Sequence, residues 1–255
     1  MHICSVLLTM RTSPLLLLVS ALLLGATVPI VHAAERQAQL TQVERLVVER
    51  SNAFRQSQGV APVAPERALT AAAQAFAAYM ARTDNYGHEA DGREPSQRAQ
   101  AQGYSYCMVA ENIAMQYSSL GFETEELARG MVQGWIDSPG HRHNLLAPEA
   151  TDIGVGMARS PSSGRYYAVQ MFGRPSSLLL KFSLSNRSRV ALNYQLDDKR
   201  FALPPGMTRT HEQCSTPALS VNVPGQAEAV VLKPANGTRY RFEPSVRGVK
   251  VMTDS

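Results

Sequence analysis

Apolar residues recur at helical spacing through the first part of the chain. Leu40, Val43, Leu46, Val47 and Phe54 mark one face of an amphipathic helix that runs to Gly59, with Thr41-Gln42-Val43-Glu44 as its capping box. Val60 to Pro65 is a loop, and a second helix from Glu66 carries Leu69, Ala72, Ala73, Phe76 and Met80 on one face, its alanines permitting close approach to a neighbour. Asp84 to Gly92 has loop chemistry, and a short third helix is predicted from Pro95 to Gln102, ended by Gly103. Leu127, Met131 and Trp135, at intervals of four, define another helix over Glu123 to Asp137, which Ser138-Pro139-Gly140 breaks. Val109 to Met115 alternates, and Ile153 to Met157 and Tyr166 to Phe172 read as strands joined by the turn Ser160 to Gly164. Helices followed by strands, without strict alternation, predict an α+β fold in which helices cover a sheet.

Beyond Arg174-Pro175 the character changes. Leu178 to Leu184, Val190 to Leu196, Phe201 to Leu203, Ala218 to Val223, Ala229 to Leu232, Arg239 to Phe242 and Val246 to Val251 are strand-like and separated by turn signals such as Pro204-Pro205-Gly206 and Asn236-Gly237. The expected organisation is therefore an N-terminal segment over 1–33, a main domain over 34–174 and a small all-β domain over 175–255.

The N-terminal segment reads as a secretory signal peptide: Leu15 to Leu18 and Leu22 to Leu24 follow Arg11, and Val31-His32-Ala33 precedes the expected cleavage. Met10 is an alternative start. The competing reading, a retained membrane anchor, has an apolar stretch from Pro14 to Val31 barely long enough for it. Removing the segment leaves no transmembrane stretch and a protein exported to the periplasm or the exterior. It also takes Cys4 away, leaving Cys107 and Cys214 of the three cysteines. Two thiols in an oxidising compartment are more often paired than free, the alternative being two buried thiols. The formal net charge is +4, but the basic residues are scattered, which argues against a nucleic-acid partner.

As a strand, Val109 to Met115 places Glu111 on the same face as Val109, Ile113 and Met115, where a carboxylate loses hydration and needs a partner; as helix or loop it simply reaches water. The familiar metalloprotease, paired-cysteine, phosphate-loop and nucleophile-elbow motifs are absent. His88, Glu111 and His141 remain, each flanked by turn or polar residues. Two imidazoles and a carboxylate suit Zn²⁺ with an open fourth position. The bland alternative is a loop histidine, a satisfied carboxylate and a helix-start residue. His143 is a poorer candidate, because residues two apart diverge by about 200° on a helix. Ser138, three residues before His141, lacks the third group of a nucleophile and base pair.

Tyr86-Gly87-His88, Asp91-Gly92 with Arg98, Gly103-Tyr104, Ala110-Glu111-Asn112-Ile113-Ala114 and the run from Trp135 to Leu146 occur in an order that resembles the CAP superfamily (cysteine-rich secretory proteins, antigen 5 and pathogenesis-related proteins) in its bacterial secreted form. Ile153-Gly154-Val155-Gly156 and Tyr166 to Gly173 continue the likeness. The resemblance implies a CAP-type α-β-α sandwich whose cleft gathers His88, Glu111 and His141 and binds a divalent metal such as Zn²⁺, with lipids, sterols or cell-wall components as partner classes. This sequence departs from the family at Ala110, where Gly is usual, at His143, where a smaller residue is usual, and at Ser138, where many members carry a second acidic residue; Asp137 is a weak substitute. The first expectation is a metal- and ligand-binding cleft without assigned catalysis. The alternatives are a metal-assisted hydrolase of peptide or cell-wall bonds with Glu111 as base, and a surface-adhesion protein acting through its β-rich end.

Overall fold

A computed structural model describes residues 36–254. The segment 1–33, which the sequence reading takes as a signal peptide, lies outside the described residues. No helix among those described is long and apolar enough to cross a membrane.

The first half is built on a four-stranded sheet of order β1-β3-β4-β2, with β1 Ala64–Pro65, β2 Tyr106–Gln116, β3 Asp152–Arg159 and β4 Tyr166–Pro175. Only the β1–β3 pair is parallel. Alternation along β4 divides the core. Tyr167, Val169 and Met171 face Leu69, Ala73, Phe76 and Met80 of α2 (Arg67–Thr83), with Ala99 of α3 (Pro95–Ala101) in the same cluster. Tyr166, Ala168 and Phe172 face Val43, Leu46 and Val47 of α1 (Leu40–Ser57) and Leu127, Met131 and Trp135 of α4 (Thr124–Asp137). Helices therefore cover both faces of the sheet, an α-β-α sandwich. Two glycines set the spacing on one side. A Cβ on Gly154 would lie 2.2 Å from the carbonyl carbon of Leu69, and one on Gly156 would lie 2.2 Å from that of Ala73, so the α2 backbone rests directly on β3.

Local details correct the sequence reading. The Thr41–Glu44 capping box does not form: Gln39 is the N-cap of α1, its N–H donates to Thr124 Oγ1 at 2.9 Å, and Thr41 lies inside the first turn. Glu44 instead accepts from the Met157 N–H and from Gln74 Nε2. Capping boxes form at Glu94/Gln97 before α3 and at Glu123/Glu126 before α4.

After a short 3-10 turn over Ser176–Leu178 the chain is entirely β: β5 Leu180–Asn186, β6 Leu192–Leu196, β7 Lys199–Leu203, β8 Thr208–Gln213, β9 Leu219–Asn222, β10 Val230–Leu232, β11 Arg239–Ser245 and β12 Gly248–Asp254. They form two four-stranded sheets, β10-β9-β6-β7 and β12-β11-β5-β8. Phe182, Leu184, Tyr240 and Phe242 from one sheet pack with Leu192, Tyr194, Leu203, Leu219 and Val221 from the other, making a small sandwich. β8 was not foreseen, because Thr208-Arg209-Thr210-His211-Glu212-Gln213 is an edge strand with no apolar alternation. A disulfide joins Cys107 on β2 to Cys214 just after β8.

Candidate functional site

The strand order leaves one side of β2 without a strand partner, and the candidate site is built along it. Carbonyls of alternate residues face off this edge. That of Ile113 accepts from Trp135 Nε1 at 3.0 Å and that of Glu111 from Asn144 Nδ2 at 3.1 Å. Two side chains thereby satisfy groups that would otherwise template another strand. Asn144 belongs to α5 (Pro139–Leu145), which begins where Ser138, in extended conformation, ends α4, with Pro139 in its first turn. Asn112 is fully buried and donates to the His141 carbonyl at 3.1 Å and to Gln170 Oε1 at 3.1 Å. Gln170 in turn donates to Ser51 on α1 at 2.8 Å. This amide chain runs from α1 through β4 and β2 and fixes α5 against the sheet edge. His141 comes with it, half-buried. His143 is exposed and lines a surface depression with Pro139, Arg142 and Leu146, as its position two residues further round a helix requires. Asp137 is exposed and accepts from Gln133 on its own helix.

Glu111 is held on the opposite face of β2. Its side chain is 1% exposed, and its Oε1 accepts from His88 Nδ1 at 2.8 Å and from Arg98 Nη2 at 3.0 Å, its Oε2 from Arg98 Nη2 at 2.9 Å. Arg98, 4% exposed, lies with its guanidinium carbon 3.6 Å from the centre of the Phe76 ring. It also donates to Asp91 Oδ1 and to the carbonyls of Arg93 and His88. One buried guanidinium thus shapes the loop between α2 and α3 and presents His88 at the surface, its side chain 48% exposed. Sequence reasoning gave Arg98, Asn112, Asn144 and Gln170 no role. The signal was available for Arg98, a cation within a short helix whose next residue, Ala99, is core.

Because a carboxylate only accepts, the His88–Glu111 bond puts the proton on Nδ1, and Nε2 has no protein partner among the described residues. That bond raises the His88 pKa above its ordinary value, burial opposing it. Burial, and then the charge of His88, lower the pKa of His141. The two imidazoles come from the loop between α2 and α3 and from α5. Among the described residues no three His, Cys, Asp or Glu side chains are grouped to hold a metal ion. Both Glu111 oxygens are taken by Arg98 and His88, so Glu111 stands behind His88 rather than beside it.

Residues 48–172, which contain all of these side chains, match the CAP family of cysteine-rich secretory proteins. This region of the chain is a CAP domain. The CAP region is 33% identical over 138 residues to the uncharacterized protein YkwD of Bacillus subtilis, covering 54% of this chain and 49% of that one. The chain thus spans about half the length of the curated relative it matches. Among solved structures it is similar to an extracellular SCP-domain protein of Bacillus anthracis (23% identity, 53% of this chain and 41% of that one, TM-score 0.45). It is also similar to an outer surface protein of Borrelia burgdorferi (17% identity, 52% and 93%, TM-score 0.46).

Proposed function

We propose that this CAP protein is exported and that its cleft binds a divalent cation, Zn²⁺ or a similar ion, on His88 and His141, taking an exogenous ligand at the positions the two imidazoles leave free. The observation that carries the reading is the His88–Glu111–Arg98 arrangement. A histidine whose Nδ1–H is fixed by a buried carboxylate has its tautomer and ring orientation set, and Nε2 is left as the donor. Glu111 would act as the orienting carboxylate and Arg98 as its anchor. A bound divalent ion would supply Lewis acidity and lower the pKa of a coordinated water. Glu111, with both oxygens occupied, is poorly placed as the base of a hydrolase, which favours binding over catalysis. The apolar stretch behind Arg11 and the Cys107–Cys214 disulfide support an oxidising, non-cytosolic destination.

Elemental analysis and calorimetric Zn²⁺ titration of the purified full chain test the cleft. One ion per chain is expected, lost in both His88→Ala and His141→Ala, and weakened about 10- to 100-fold in Glu111→Gln. Undiminished Zn²⁺ binding in either histidine variant overturns the assignment.

A further inference from the structure

The β-rich half offers two outer sheet faces that differ in chemistry. On the β12-β11-β5-β8 sheet the outward charges satisfy one another: Arg241 pairs with Glu243 and Asp254, Lys250 with Glu243, and Lys181 with Glu212. The outward positions of β10-β9-β6-β7 are different. Cross-strand register sets Ala202, Asn193 and Asn222 in one row and Arg200, Gln195, Ser220 and Val231 in the next. Within the described residues the side chains of Asn193, Ser220, Asn222 and Arg200 make no hydrogen bond to protein, and Gln195 uses only its Nε2, on the Asp197 carbonyl. The face is not flat. A concavity of about 630 Å³ is lined by Asn193, Gln195, Arg200, Ser220, Asn222 and Ala229, and a second of about 260 Å³ shares Asn193, Asn222 and Ala229 and runs under the loop Pro224 to Glu228. The two form one groove of the size that holds a small oligomeric ligand.

We infer that this groove is a binding site for a neutral glycan chain. Each Asn or Gln amide offers donors and an acceptor on one planar group, and adjacent strands set such groups about 4.8 Å apart, an array that matches a polymer bearing closely spaced hydroxyls. Arg200 and Glu228 are its only charged lining residues, of opposite sign, so the groove has no net charge with which to select an anionic polymer. Ala202 and Ala229 in the groove, and Val231, 74% exposed beside Ser220 on the same sheet, provide apolar patches for the faces of sugar rings. The site is independent of the cleft reading.

The test is co-sedimentation of the full chain with two insoluble neutral probes, chitin and cellulose, and retention on heparin as an anionic comparison. Binding to at least one neutral-glycan probe is expected, little changed between 50 and 500 mM salt and reduced about tenfold or more in Asn193→Ala/Asn222→Ala. The His88→Ala protein should bind as the unmodified chain does. Chitin without cellulose would identify acetamido sugars as the preferred class; cellulose as well would identify the hydroxyls alone. Because both asparagines project into solvent, the double variant should keep its unfolding temperature, and Ala202→Arg, which fills the groove from the same face, provides a second blocking variant. Retention on neither chitin nor cellulose, retention on heparin alone with steep salt dependence, or undiminished binding in both blocking variants overturns the inference.

Discussion

Replacing Arg98 with Met tests the organisation of the cleft directly. The guanidinium is 4% exposed and bonds to both oxygens of a carboxylate that is itself 1% exposed. Taking away one member of such a pair leaves the other buried and uncompensated, which costs about 3–5 kcal/mol. Arg98→Met keeps the contact with Phe76 but also strands the His88 and Arg93 carbonyls, so the upper part of that range is expected. A domain is stable by only about 5–15 kcal/mol, so the effect is a large share of the total. Glu111→Gln is milder, about 1–2 kcal/mol, because Arg98 keeps Asp91 and both carbonyls. The double variant Arg98→Met/Glu111→Gln removes the stranded Glu111 charge, leaving Asp91, 15% exposed, as the one carboxylate of the cluster that loses its cation, and should be more stable than the sum of the two losses implies by at least about 1 kcal/mol. Urea unfolding followed by fluorescence of the single, buried Trp135 measures all four proteins. A loss below about 1 kcal/mol for Arg98→Met, or strict additivity in the double variant, would refute a buried, mutually dependent pair.

Three further outcomes follow from the same geometry. In NMR titrations of the metal-free protein, His88 should titrate above the ordinary 6.5 and His141 below it, with Glu111→Gln bringing His88 back down; the reverse order would contradict the placement. By linkage, the His88 bond adds stability that is complete below about pH 6.5 and disappears as pH rises through its folded-state pKa, whereas burial of His141 removes stability as pH falls below about 6.5. The Cys107–Cys214 bridge closes a separation of 107 residues, so Cys107→Ala/Cys214→Ala should lose about 4–5 kcal/mol on the chain-entropy account, and reductant should then have no further effect on urea unfolding. Gly154→Ala should cost about 1–3 kcal/mol or more, seen as a lower unfolding temperature, since its Cβ meets backbone of α2 at 2.2 Å; an unchanged temperature would mean α2 does not rest on β3.

How far each feature was legible depends on whether its cause is local. The periodicity of Leu127, Met131 and Trp135 reports a single helix face against a core, and all three are buried. The alternation around Glu111 reports a strand face, so a carboxylate among apolar residues was readable as one needing a partner. Its partner was not, because Arg98 reaches it from a seven-residue helix through a contact no periodicity encodes. Met115 shares that strand face yet is 41% exposed, although its cross-strand partner Tyr167 is fully buried. β1 is two residues long and contains a proline, and β8 is polar; both are strands only because a neighbour pairs with them.

The site follows from how the sheet closes its open side. β2 needs its outward carbonyls satisfied, and Trp135 and Asn144 do this from α4 and the helix after it. The helix that covers the edge is the one that carries His141. On the other face, Glu111 needs a cation, and Arg98, in meeting that need, also binds the loop that carries His88. Each histidine is therefore positioned by an interaction whose first physical role is to bury a polar group safely. The two imidazoles stand half in solvent, while Glu111 and Arg98 behind His88, and Asn112 behind the His141 backbone, are buried in the core.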